Sequence, residues 1–244
     1  MQSHKEMHMS TLSNAKDGRG LRSGSQKMSP PAQKTLKNTY IATGLGLLLA
    51  AFTGSFMSSP LLAGLGVAAT IASIIGMFVV MFIALYRAEK PDGLFWYLGF
   101  TSLMGAFIGG AVNLAAMSNP GAVFASVGGT AILFIALSAY TITTKRDLNH
   151  WGGFLFVALL GLVITSLINI FLQSPLVMLV GSAIGTVIFS MFIMYDTSRI
   201  VNGYETSYVR GSLNMFLNII NLFIDLLQLA LMFWGVGLFL GRAV

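Results

Sequence analysis

Cysteine is absent from the 244 residues, which excludes disulfides, thiolate metal sites and thiol catalysis. Histidine is nearly absent: His4, His8 and His150 are too scattered to form a metal set. No histidine falls within an apolar run to serve a Ser or Thr nucleophile, so an enzyme is not expected. Neither G-x-x-x-x-G-K-[ST] nor G-x-G-x-x-G occurs, so no nucleotide site is read. Charge is also scarce, at 9% of residues, where an ordinary soluble domain carries about 25%.

What fills the chain instead is apolar. Hydrophobic residues make up 55% and mean hydropathy is +0.79, which places the chain in lipid. A helix crossing the hydrocarbon layer needs about 20 mostly apolar residues. Seven such runs are present: Thr39 to Ser58, Leu61 to Tyr86, Leu94 to Met117, Ala122 to Thr143, Gly152 to Leu172, Leu176 to Tyr195 and Leu213 to Leu240. Backbone groups in lipid must bond within their own segment, so the runs read as helices. The expected fold is all-α and polytopic, with a domain over 39–244 behind a flexible basic tail over 1–38. That tail holds seven of the fourteen Lys and Arg and has no sustained apolar period, so it lacks the surface to offset ordering. No apolar stretch follows its basic residues closely enough for a secretory signal. A mitochondrial transit segment, and with it the mitochondrial inner membrane, is the alternative.

The connections fall into two kinds. "SSP", "SNP" and "QSP", ending at Pro60, Pro120 and Pro175, are short and uncharged. The tail, "YRAEKPDG", "TKRDLNH" and the segment from Arg199 to Arg210 are charged. The two kinds alternate strictly, so the positive-inside rule puts the N-terminus and every charged loop in the cytoplasm and the C-terminus outside. The net charge of +6 is therefore assigned to orientation and anionic lipid, not to nucleic acid. Glycine pairs at small-xxx-small spacing, Gly105 with Gly109 and Gly181 with Gly185, read as close helix packing.

Two acidic residues fall within or at the ends of the apolar runs: Asp196 at the end of the sixth and Asp225 inside the seventh. A carboxylate at membrane depth is paired, protonated or turned to a water-filled cavity. A solvated helix end near Arg199 is the plain account of Asp196, and Arg87, ending the second run on the same side, is an allowed partner. Around Asp225, the residues Asn214, Asn218, Asn221 and Gln228 complete a 4, 3, 4, 3 spacing that lines up on one helix face. Such a stripe serves either as interhelical glue or as the lining of a conduit or gate.

Four stretches carry a resemblance: "LKNTY" before the first run, "GGTAILFIALSAYTITTKRDL" through the fourth, "MFIMYDTSRI" ending the sixth, and "SLNMFLNIINLFIDLLQL" in the seventh. Together they resemble the Bax inhibitor-1 (TMBIM) family over about residues 35–235, and "YETSYVRG" is similar to its bacterial YccA-type branch. The resemblance implies six transmembrane helices around a central seventh, and two readings of function. In one, the chain is a bacterial inner-membrane protein that modulates the membrane protease FtsH, its partners being that protease and the lipid bilayer. In the other, it is a pH-sensitive calcium or cation leak channel, calcium being the transported species and no cofactor being required. By resemblance Arg87 and Asp196 match the gate residues of the channel-type members. Asn218 stands where those members have a second Asp, which leaves the carboxylate pair incomplete. Asp225, about 10 Å further along the same face by helix rise, and Asn221 complete the gate set on this second reading.

Overall fold

The computed structural model describes residues 28–57 and 67–241, with all their side chains except those of 57, 67–73 and 235–241. Seven α-helices follow one another: α1 Pro30–Met57, α2 Val67–Tyr86, α3 Gly93–Ser118, α4 Pro120–Thr144, α5 Gly152–Leu172, α6 Pro175–Val201 and α7 Tyr208–Gly241. One 3-10 turn, Asn149–Trp151, precedes α5. No strand occurs among the described residues. Every helix but α2 is long and apolar enough over its described side chains to cross a membrane. The twenty residues of α2 would themselves extend about 30 Å.

The helix ends show why the short connections suffice. Asn119 is the whole link between α3 and α4. Its side chain accepts a hydrogen bond from the Ala122 amide at 3.1 Å, with Pro120 in the first helical position. Ser174 caps α6 in the same way ahead of Pro175, accepting from the Val177 amide at 3.4 Å. Such caps satisfy amides that a helix start leaves open, and proline there forfeits no bond. Asn169 tightens the α5–α6 turn further by accepting from the Ser174 amide at 3.0 Å. The "SSP" connection lies outside the described residues.

The charged connections gather at the opposite end. Ser207 donates to the Ala88 carbonyl at 2.9 Å, tying the α6–α7 loop to the α2–α3 loop. Tyr204 donates to Asp147 at 2.7 Å and Ser198 to the Arg146 carbonyl at 2.7 Å, tying both to the α4–α5 loop. The first 27 residues of the expected tail lie outside the described residues. Helix α1 begins at Pro30 rather than Thr39, because the polar turns over 30–38 pack on this end: Thr35 and Thr39 donate to the Thr206 and Tyr208 carbonyls, each at 3.4 Å.

α7 is the central helix. It packs against α1, α2, α3, α4 and α6, whereas α5 stands one layer out, its backbone close to α6 and the 3-10 turn but not to α7 among the described residues. Met215, Phe216 and Leu222 of α7 are wholly buried. Phe216 meets Tyr97 and Phe100 of α3 edge to face, with ring centres 6.3 and 5.9 Å apart. Isoleucine, phenylalanine and leucine on the outer faces of α1, α4 and α5 are exposed, as a lipid-facing surface requires.

α1 and α3 approach most closely. A Cβ at Gly54 would lie 2.9 Å from the Gly105 carbonyl oxygen and 3.3 Å from Gly109 Cα. The Gly105 and Gly109 spacing thus admits the α1 backbone, as small residues do between membrane helices. Gly181 and Gly185 behave otherwise: a Cβ at Gly181 would meet nothing within 4 Å, and Gly185 faces a side chain of α7. Gly54→Val is expected to lower unfolding stability in detergent by about 1–3 kcal/mol through overpacking. Gly110→Ala, where a Cβ has nothing within 4 Å, should leave the thermal midpoint unchanged or raise it.

Candidate functional site

The polar stripe of α7 faces inward, toward α6. Asn218, buried, donates from its side-chain amide to Asp196 Oδ2 at 2.7 Å. Asp196 itself is 7% exposed, so it is no solvated helix end: the last turn of α6 continues to Val201 and carries it beneath the loops. Beside it, Tyr40 of α1 and Thr197 share a hydroxyl hydrogen bond of 3.2 Å. An amide donates to a carboxylate but takes up no proton near neutral pH, so the pair contains one titrating group rather than two sharing a proton.

Arg87 does not reach this pair. It binds Asp92, five residues on, at 3.0 Å, and the Trp96 indole donates to the same carboxylate oxygen at 3.1 Å. Desolvation is the largest single influence on the Asp92 carboxyl and pushes it up, but the Trp96 and backbone hydrogen bonds and the Arg87 charge and hydrogen bond together outweigh it and hold the group below the ordinary carboxylate range. The Tyr204 hydroxyl, aided by the Asn149 amide, likewise holds the Asp147 carboxyl low. Arg210, which sequence reasoning left as a loop charge, bridges Glu89 at 3.0 Å and buried Glu205 at 3.4 Å. Its two partners come from different loops, and only the assembled bundle brings them within reach.

Toward the other end, the stripe opens onto a cavity of about 590 Å³ between α5, α6 and α7. Its polar lining is Thr165, Ser166 and Asn169 of α5, Ser182 of α6, and Asn221, Asp225 and Gln228 of α7. Ser182 donates to Gln228 Oε1, and Asn221 returns its amide to the Leu217 carbonyl at 2.8 Å. Asp225 Oδ2 is buried and has no hydrogen-bond partner. Gly185 makes room for it: a Cβ there would come within 2.8 Å of Asp225 Cγ and 3.0 Å of Oδ1. The structure therefore divides the sequence-derived set. Asp196 and Asn218 form one unit, Asn221 and Asp225 line a cavity starting one turn further along α7, and Arg87 stands apart at the charged end. Ser182 was not anticipated, and Gly185, read from the sequence as a helix-packing residue, instead makes room for a side chain.

No group of three or more His, Asp or Glu able to hold a metal ion occurs among the described residues. A second cavity, of about 530 Å³, lies between α1, α3, α4 and α7 and is almost wholly apolar.

Comparison with known proteins follows the same span. The family described as inhibitor of apoptosis-promoting Bax1 matches residues 32–234. A membrane protein of Vibrio cholerae is 36% identical over 210 residues, covering 85% of this chain and 93% of the relative. The Escherichia coli K12 protein named modulator of FtsH protease YccA is 34% identical over 197 residues, covering 80% and 89%. A vaccinia virus Golgi anti-apoptotic protein is 36% identical over 161 residues, covering 65% and 67%.

Removing the amide partner of Asp196 tests the buried pair. Asn218→Leu is expected to cost about 1–3 kcal/mol of stability by leaving a buried carboxylate unsatisfied. Adding Asp196→Leu should recover part of that loss, a coupling of about 0.5–3 kcal/mol in a double-mutant cycle read by unfolding in micelles. Strict additivity would show that the two side chains do not interact.

Proposed function

The chain belongs to the Bax inhibitor-1 family, a family of non-catalytic membrane proteins, and from that footing we propose that it is a bacterial inner-membrane modulator of an FtsH-type protease. The observation that carries this reading is the likeness to the E. coli modulator, which runs through 80% of the chain and 89% of that relative. The Asp196–Asn218 pair supports it from the other side: with an amide where channel-type members have a carboxylate, the two-acid proton sensor is missing. Under the positive-inside rule the charged end of the bundle faces the cytoplasm. The stretch ahead of α1, rich in Ser, Lys and Arg, is then on the cytoplasmic side and serves as the handle by which a processive protease engages the chain.

The test is degradation of a second membrane substrate by reconstituted FtsH-type protease. Equimolar full-length chain is expected to slow that degradation severalfold, and a chain lacking residues 2–27 should not. If the full-length chain leaves the rate untouched, modulation is refuted.

One observation favours a second reading, a gated cation leak. The cavity begins at Asn221, one turn from the buried Asp196–Asn218 pair, so that pair is the barrier between it and the charged end. On this reading Asp196, Asn218, Asn221 and Asp225 bear on one pathway, and Arg87, bound to Asp92 at the charged end, takes no part in the barrier. Asp196→Asn and Asp225→Asn should then each change calcium entry into proteoliposomes by about fivefold or more. Entry equal to wild type in both variants removes the gate.

A further inference from the structure

Among the described residues Asp225 is the only acidic one lining the cavity between α5, α6 and α7, and neither proposed activity explains how its carboxylate is held. Gly185 leaves space against it, and no donor is aimed at its buried Oδ2. A carboxylate at membrane depth is paired, protonated or turned to water, and one with no partner on the protein can take its counter-charge from a bound cation.

The lining narrows the kind of cation. Calcium takes six to eight oxygen ligands, usually with more than one carboxylate, and magnesium demands octahedral geometry. Here a single carboxylate is accompanied by neutral hydroxyls and amides, and two of the groups, Ser182 and Gln228, are engaged with each other. Much of the remaining wall is apolar, including Leu162, Phe189 and Ile224. One negative charge beside apolar and aromatic walls suits an ammonium on an apolar body, whose head pairs with the carboxylate while its body replaces lipid. At about 590 Å³, the cavity falls within the range of about 300–1,000 Å³ typical of small-molecule sites.

Access follows from the packing. The α5 backbone lies close to that of α6 but not to that of α7 among the described residues, so no backbone-to-backbone helix packing closes the α5–α7 seam. The exposed Thr165 and Ser166 of α5 line that side. An amphiphile dissolved in the membrane can therefore enter sideways, head group toward the polar stripe.

We propose that the α5–α6–α7 cavity is a binding site for a monovalent organic ammonium with an apolar body, held by Asp225 with Gly185 providing the space. The site is independent of the protease reading and stands apart from the Asp196–Asn218 pair.

The experiment measures equilibrium binding of radiolabelled 2-phenylethylammonium to the full chain in lipid nanodiscs, with 2-phenylethanol as the neutral counterpart. Saturable binding at one per chain is expected, the alcohol competing at least about tenfold more weakly, because it cannot pair with the carboxylate. Asp225→Asn, close in shape to the original, should weaken binding at least about tenfold, while Asp196→Asn should leave it unchanged. Three results would overturn the proposal: equal, non-saturable uptake of amine and alcohol, meaning partition into lipid; binding indifferent to Asp225→Asn; or displacement by micromolar calcium, which would give the site to an inorganic ion. The comparison of amine with alcohol uses the unaltered chain, so it decides the matter even if a variant fails to fold.

Discussion

A polar side chain at membrane depth has no water to turn to, and the bundle is organised around that constraint. α7 carries five such residues on one face, Asn214, Asn218, Asn221, Asp225 and Gln228. Exposed to lipid, that face would be unstable, so the helix sits where other helices surround it. Two of the five find partners on α6, at Asp196 and Ser182. Two more line an internal cavity with Gln228. α5, with only Thr165, Ser166 and Asn169 turned to that cavity, takes an outer position and presents leucine, isoleucine and phenylalanine to lipid.

The same constraint separates the molecule's two ends. At one, carboxylates of the α2–α3 and α6–α7 loops meet guanidiniums, with Arg210 at the start of α7 bridging exposed Glu89 and buried Glu205. At the other, the turns at Asn119 and Gln173–Ser174 contain no charge and close through capping side chains. Between them, the Asp196–Asn218 pair lies beneath the charged loops and the polar cavity lies beyond it. On the proposed readings, a partner engaged at the charged end and a ligand in the cavity would act on different surfaces of one helix. That arrangement suits a protein whose partner is met outside the bilayer and whose interior binds separately.

Much of this was legible in the chain itself. A run of about 20 apolar residues in lipid has few options besides a helix, and the strict alternation of charged and uncharged connections implied two unlike ends. The stripe was legible because a 4, 3, 4, 3 spacing has one geometric meaning on a helix. The partner of Arg87 was not, because loop charges reveal a side of the membrane but no specific contact, and Asp92, five residues away, wins over a carboxylate on another helix. The start of α1 was missed for a related reason. Residues 30–38 are polar and look like tail, yet they lie at the charged end, where helical backbone and polar side chains coexist. The cavity had no signature at all, since it exists only through the placement of α5 relative to α7. Thr165, Ser166 and Asn169, polar residues on a mostly apolar helix, were hints that did not show what they would face.

The absence of native cysteine makes the central claim directly accessible: single cysteines can be placed and their reaction with a water-soluble maleimide timed in intact membranes. Cysteine at Asn218 and at Met215, both buried on α7, should react slower by about two orders of magnitude or more than cysteine at exposed Tyr204, a gap expected between core and surface positions. Equal rates at the three positions would mean that α7 is wetted along its length, and the bundle could not then be built around it.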